Sequence, residues 1–329
     1  RCTECFNAPT CCRLCIVKMH KSNPLHRIQF WNGQFFERRT LQEAGLQFCL
    51  GHGGDQCSAA PVGALPTTTT ICDLHGFQTV NVAYCLCPHA ESEVVQLLSA
   101  RLFPATFTKP RTAFTWELME DLRLDTVQSK KPMYDNYTKL VRLSRNAEVN
   151  ADKKGYENLS RAARYYNVAT RIRQSGQGQD IDKIVQALYP GLLYPGSVML
   201  PCPSCPRPGF NTPDNVEQLL KDPREEHKYR VVVGVDGVYK LYQKNKLIDS
   251  GDVSLLDGQG AFVLDAALEE FRRKFGKYTE VCDSSRHVDR MHERTRVRGC
   301  LVSGIFALIC LRHLVFPGQS VIDILVGER

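Results

Sequence analysis

The sequence predicts an α+β fold in parts, on three observations. Ten of the fifteen cysteines fall before residue 88, several in short pairs with histidines close by. The middle of the chain carries apolar residues at helical spacing, and beyond a proline-rich stretch short apolar runs flank one further helix. Together these predict a small metal-stabilised N-terminal module over residues 1–107 and a helical region over 108–190. A linker over 191–228 and an α/β domain over 229–329 complete the chain.

Composition narrows the function classes. With 329 residues, 43% hydrophobic and 23% charged, the chain has enough apolar material for two or three cores and is neither disordered nor fibrous. Its longest apolar run, Leu301 to Leu311, is interrupted by Ser303 and Gly304. A membrane-spanning helix needs about 20 apolar residues, so the run reads as a buried strand. The first residues hold no apolar stretch suited to a signal peptide. Pairs of the C-x-x-C type beside histidines favour metal binding in a reducing, intracellular compartment over a disulfide framework. The chain opens on Arg1, and Gly327-Glu328-Arg329 lacks tail-like composition; both lead to the expectation of a fragment truncated at both ends.

The N-terminal module is read from its ligands. Cys2-x2-Cys5 and Cys12-x2-Cys15 can each clamp one edge of a tetrahedral zinc, and His20 and His26 supply another edge. Cys11 is left out as a core thiol. The spacing resembles a B-box-type pair of cross-braced sites. That resemblance implies that Cys2 and Cys5 share a zinc with His20 and His26, and that Cys12 and Cys15 share another with a pair upstream of Arg1. A second group, Cys57, Cys72, His75, Cys85 and Cys87, is built around a C-x-C, with His52 and His89 as possible substitutes. Its candidate ligands are Cys57, Cys72, Cys85 and Cys87. Between these groups, Gln78 to Tyr84 alternates with period two and reads as a half-buried strand, and Thr67 to Thr70 after Pro66 reads as a loop.

In the helical region Thr115 is a plausible N-cap for a helix carrying Leu118, Met119 and Leu122. A second helix runs from about Lys153 to Arg173, with Tyr156, Leu159, Ala163, Tyr166 and Thr170 on one face and Arg161, Arg164 and Arg171 on the other. Those three arginines are the candidate DNA contacts; the alternative is a solvated helix face. The formal charge of +7 favours an anionic partner only mildly, so its placement matters more. Lys139 to Arg173 holds nine basic residues against three acids and Arg286 to Arg298 five against two, which makes these the two candidate nucleic-acid surfaces.

Seven prolines and three glycines between Tyr189 and Pro213 exclude continuous helix or central strand. Within that stretch Cys202-x2-Cys205 is either half of another zinc site or a rigid loop with two thiols. Beyond it, Tyr229 to Asp236 and Val238 to Gln243 read as two strands, Leu264 to Phe275 as a helix, and Val302 to Leu311 and Gln319 to Val326 as strands. Asp236 ends an apolar strand before Gly237, where Asp-Gly is also a favoured hairpin turn.

Several of these segments resemble one family in order and spacing. Pro24-Leu25-His26, Trp31-Asn32-Gly33-Gln34-Phe35-Phe36, Leu50-Gly51-His52, Cys85-x-Cys87, Arg101-Leu102-Phe103-Pro104 and Cys202-Pro203-Ser204-Cys205 resemble the cysteine cluster attached to Kyakuja-Dileera-Zisupton (KDZ) transposases. Asp236, Asp257-Gly258, Arg312-His313, Asp323 and Gly327-Glu328-Arg329 continue the resemblance. It implies an RNase H-like domain in which metal-bound carboxylates cut and join DNA, with Mg or Mn as the catalytic ion and Asp236 as the first carboxylate. Two ions about 3.5–4 Å apart serve that chemistry, so further carboxylates are expected beyond Arg329. Val238, Leu325 and Val326 depart from the family's polar residues.

The functional expectation is a transposase-derived, zinc-binding and DNA-binding protein of a mobile element, catalytically incomplete as this chain. A DNA partner would place it in the nucleus. No small-molecule substrate and no membrane partner is expected. The alternative is a non-enzymatic, zinc-dependent module that binds nucleic acid or protein.

Overall fold

The computed structural model describes residues 1–61, 63–144, 153–189, 195–199, 201–245, 253–275 and 299–324, in two units, Arg1–Asn167 and Val168–Arg329. The mixed helices and sheets make it an α+β protein. Among the described residues no helix is long and apolar enough to cross a membrane.

The N-terminal unit begins with helix α1 (Arg13–Met19) and a hairpin of β1 (Ile28–Trp31) and β2 (Phe36–Arg39). Cys2, Ile16, Ile28, Leu41, Ala44 and Leu46 form the buried core of this first piece, too few residues to hold it without a further tie. Arg27 joins this piece to the sheet behind it. Its guanidinium meets Glu4 at 3.3 Å and Asp73 at 3.5 Å and donates to the carbonyl of His75 at 2.7 Å.

That sheet has five strands in the order β3-β5-β4-β7-β6: β3 (Gln47–Cys49), β4 (Thr67–Asp73), β5 (Gly76–Ala83), β6 (Leu102–Pro104) and β7 (Thr112–Thr115). Register sorts its side chains by face. Ile71, Val80, Val82, Leu102 and Ala113 pack with Leu97 of α2 (Glu93–Ser99) on one face. Cys72, Phe103 and Phe114 lie on the other, under α3 (Trp116–Gln128), α4 (Met133–Ser144) and α5 (Lys153–Gln174). The Thr115 side chain accepts from the Leu118 N–H and so starts α3, burying Leu118, Met119 and Leu122 as their spacing requires.

The threonine run is not a loop. Thr67 to Thr70 opens the central strand β4, paired antiparallel to β5 with Thr70 also parallel to β7, because β-branched residues fit a pleated surface once both flanks are paired. The β4–β5 turn needs Gly76, whose φ is +107° and whose place for a Cβ lies 2.7 Å from the Leu140 carbonyl of α4.

In the second unit α6 (Ile181–Leu188), α7 (Val216–Leu219) and α8 (Glu226–Tyr229) precede an antiparallel sheet. Its order is β10-β9-β8, with β8 (Val233–Lys244), β9 (Cys300–Cys310) and β10 (Val321–Ile324), and α9 (Asp265–Phe275) lies between β8 and β9 in sequence. The expected hairpin at Asp236-Gly237 is absent. One strand runs through both residues, since Asp236 faces Ala307, Gly237 faces Phe306 and Val238 faces Ile305 on β9. Pairing to a single long partner outweighs the local turn preference of Asp-Gly. The Arg286 to Arg298 basic stretch and Leu325 to Arg329 lie outside the described residues.

Candidate metal centres

Among the described residues, three groups of four Cys and His side chains have their ligand atoms within 4.8 Å of one another. Tetrahedral zinc places two thiolates about 3.8 Å apart and a thiolate and imidazole nitrogen about 3.5 Å apart, from the usual bond lengths.

The first is Cys2, Cys5, His20 and His26, the set that the B-box resemblance implies. Cys5 Sγ lies 3.4 Å from His20 Nε2 and 3.2 Å from His26 Nδ1, and Cys2 Sγ lies 3.6 Å from His26 Nδ1. The C-x-x-C turn aims the Glu4 and Cys5 N–H groups at Cys2 Sγ, both at 3.4 Å. His20 is buried, and its Nδ1 stands 2.7 Å from the Ile16 carbonyl. A carbonyl only accepts, so Nδ1 carries the proton and Nε2 turns its lone pair toward the thiols, as a metal-ligating histidine requires. The donor set fits zinc. Cys12 and Cys15 are exposed and take no part in this group; Cys12 caps α1 and Cys15 lies in its first turn.

The second group is His52, Cys57, Cys85 and Cys87. The parallel strands β3 and β5 end side by side, with Cys49 opposite Ala83, and so deliver the following residues to one end of the sheet. Cys85 and Cys87 point the same way because they are two apart in extended chain. Cys57 Sγ lies 3.9 Å from Cys85 Sγ and 3.8 Å from Cys87 Sγ, while His52 Nε2 lies 3.2 Å from Cys85 and 3.5 Å from Cys87. The Leu86 N–H, 3.4 Å from Cys57 Sγ, is the main reason its thiol is pulled down to about 6. Gln96 of α2 holds the Cys85 backbone at both its N–H and its carbonyl. This donor set also fits zinc.

Cys72 does not join that group. Strand alternation turns it to the helix-covered face, where it is fully buried beside Phe114, Leu118 and Tyr137, and burial pushes its thiol up. His52 takes the fourth position. Gly51 and His52 both have positive φ, at 85° and 47°, a local backbone that swings the imidazole back over the strand end. His75 lies on the β4–β5 turn, 3.6 Å from Asp73.

The third group is Cys202, Cys205, Cys310 and His313. Cys202 Sγ lies 3.2 Å from His313 Nδ1, and Cys205 Sγ lies 3.3 Å from Cys310 Sγ and 3.8 Å from His313 Nδ1. The spacing Cys310-x2-His313 is the signal in the sequence that could have paired these two with Cys202 and Cys205.

A family model described as a CxC2-like cysteine cluster associated with KDZ transposases matches residues 41–148, and one for Kyakuja-Dileera-Zisupton transposase matches residues 229–329. Residues 41–148 are thus similar to that cysteine cluster, and residues 229–329 to that transposase family. No curated protein and no solved structure matches it. The cluster segment contains all four residues of the second group, whereas the first group lies ahead of it. Cys202 and Cys205 fall between the two KDZ-associated segments, and Cys310 and His313 fall inside the transposase segment.

In the KDZ segment Asp236 is exposed on β8, and its carboxylate accepts from the Gly237 N–H at 2.7 Å. Asp323 faces the same side of the sheet from β10, since Asp236 pairs with Ala307 and Asp323 with Ile305, two residues along β9. Two strand spacings and a two-residue offset still separate their backbones by about 12 Å, too far for the two carboxylates to share an ion. Burial, then the nearby Asp265, raises the Asp323 carboxyl, while Arg272 of α9 opposes that rise. On α5, Arg161 and Arg171 are exposed and Arg164 is half-buried, while Leu159, Ala162, Ala163, Tyr166 and Thr170 are buried.

Proposed function

We propose that this transposase-derived chain is a DNA-binding protein whose N-terminal unit is held together by two structural zinc ions. The observation that carries the reading is the pair of four-ligand Cys and His groups. Each has a complete tetrahedral donor set, which suits a structural rather than a catalytic zinc because no coordination position is left open. Purified chain with Cys5→Ser or Cys57→Ser should each lose one zinc by elemental analysis; unchanged metal content in both would refute it.

DNA is the partner that the transposase domain suggests, and a nuclear location follows from it. Arg161 and Arg171 offer phosphate contacts along α5, with Arg164 closer to the core. Phosphate contacts fix position without reading sequence. Binding to duplex DNA should weaken steeply with salt, and replacing both exposed arginines by alanine should flatten the log–log slope by about 2, at roughly 0.9 per phosphate. An unchanged slope rules out this face.

An RNase H-like domain with Asp236 as a Mg or Mn ligand remains the reading for the KDZ segment, supported by an acidic residue on a strand of a three-stranded antiparallel sheet. Asp323, on the same face of that sheet, stands too far from Asp236 to share an ion with it. The chain as given is therefore expected to show no strand cleavage in magnesium or manganese. Cleavage that disappears in Asp236→Ala would overturn this expectation. The separation of Asp236 from Asp323 favours, as a second reading, a non-enzymatic zinc-dependent module that binds nucleic acid or protein.

A further inference from the structure

The third Cys and His group has the same three thiols and one imidazole as the second but a different position in the chain. Its ligands are drawn from two places: a loop in the proline-rich stretch, and the knuckle that ends β9. Cys202, Cys205 and Cys310 are buried, at 8%, 9% and 3% exposure, and form a small cluster with Val315. Three buried thiols beside the exposed imidazole of His313 form a good soft-metal shell.

Both halves are shaped by hydrogen bonds of their own. On one side Asn211 donates to the carbonyls of Pro203 at 3.2 Å and Cys205 at 3.0 Å, and accepts from the Arg207 N–H at 2.7 Å, which closes the Cys202–Cys205 loop. On the other, β9 stops in a tight turn. The Leu314 N–H donates to the Cys310 carbonyl at 2.8 Å and the Cys310 N–H to Val315 at 3.0 Å, with Leu314 at φ 53°. That turn brings His313 back beside Cys310, 3.6 Å from Sγ to Nδ1. The three thiol–imidazole separations, 3.2, 3.8 and 3.6 Å, bracket the value of about 3.5 Å for tetrahedral zinc, while the Cys205–Cys310 separation of 3.3 Å is shorter than its thiolate–thiolate distance of about 3.8 Å.

We propose that Cys202, Cys205, Cys310 and His313 bind a third zinc ion, which clasps the proline-rich segment to the end of β9. The consequence reaches the transposase domain, because Cys310 is paired with Val233, three residues before Asp236 on β8. Zinc here pins the end of the central strand against which the Asp236 strand is registered. The proline-rich segment then becomes a structural part of the second unit rather than a tether. This extends the zinc reading above to separate ligands, so the two can fail independently.

The test is zinc content of the full chain, read with four sets of variants. The wild type should hold three zinc ions, and Cys205→Ser combined with Cys310→Ser should hold two. His313→Ala should hold fewer than three, and His313→Cys, which keeps a soft ligand, should return to three. Cys5→Ser and Cys57→Ser each remove one ion from the first unit and thus report on the earlier reading alone. Cadmium exchange should give three distinct metal resonances, one of which is lost in the double variant, so the site is seen even if that variant folds poorly. Two zinc ions in the wild type, with both removable through Cys5 and Cys57, would overturn the proposal. So would three ions in the double variant, or loss of two of these thiols to a disulfide in the zinc-loaded wild type.

Discussion

Cys57 and Cys72 are both buried cysteines of one sheet-centred unit, yet the structure gives them opposite roles, and replacing each by alanine separates those roles. Cys57 stands in the second group, 3.8 to 3.9 Å from two other thiols; Cys72 sits under the helices among apolar side chains. Structural zinc contributes roughly 10–16 kcal/mol of apparent binding energy at neutral pH. If loss of one of four ligands removes even a third of that, Cys57→Ala destabilises by roughly 4 kcal/mol, about 8–16 °C for a unit of this size. Cys72→Ala removes one packed sulfur, on the order of 1 kcal/mol, or about 2–4 °C. The two tryptophans, Trp31 and Trp116, both lie in the Arg1–Asn167 unit, so fluorescence melting reports on that unit. Zinc released by a thiol-modifying reagent gives the second readout. Cys57→Ala should lower both zinc content and melting temperature strongly, and Cys72→Ala should leave zinc unchanged. Zinc loss from Cys72→Ala, or full zinc in Cys57→Ala, would refute the assignment of ligands.

Gly76→Ala should cost at least about 2 kcal/mol, because a Cβ must adopt positive φ and meet the Leu140 carbonyl; a melting temperature within 1 °C or so of wild type, on the scale of roughly 2–4 °C per kcal/mol, would count against the turn geometry. Arg27→Ala leaves Glu4 and the largely buried Asp73 without their cation and is expected to destabilise by about 1–3 kcal/mol without altering zinc content, which denaturant melting with parallel metal analysis can check. Replacing Gln96 by Leu removes both bonds to the Cys85 backbone; outer partners of this kind typically change metal affinity about 10–100-fold, so competition with a chromogenic chelator should show earlier zinc release.

Local chemistry written in consecutive residues was legible without coordinates. The Thr115 cap, the buried stripe of α5 and the period-two strand around Val80 and Val82 follow from spacing alone, because each depends on residues within two turns or one strand of one another. The C-x-x-C pairs were visible for the same reason. Whether a given cysteine joins a metal group is a different kind of fact. Cys72 is removed from the second group by strand alternation and by the helices that cover its face, and His52 enters it through positive φ at Gly51 and itself. The threonine run becomes a central strand only because β5 and β7 flank it, and Asp236 continues a strand because β9 is long enough to pair through it.

Cys205 and Cys310 stand 105 residues apart, and no local periodicity links them. A metal shell is satisfied by any four soft atoms that converge, so sequence determines which half-shells exist. Only tertiary structure decides which halves meet, because that choice is made by strand register, by the end at which parallel neighbours stop, and by which face of a sheet is covered.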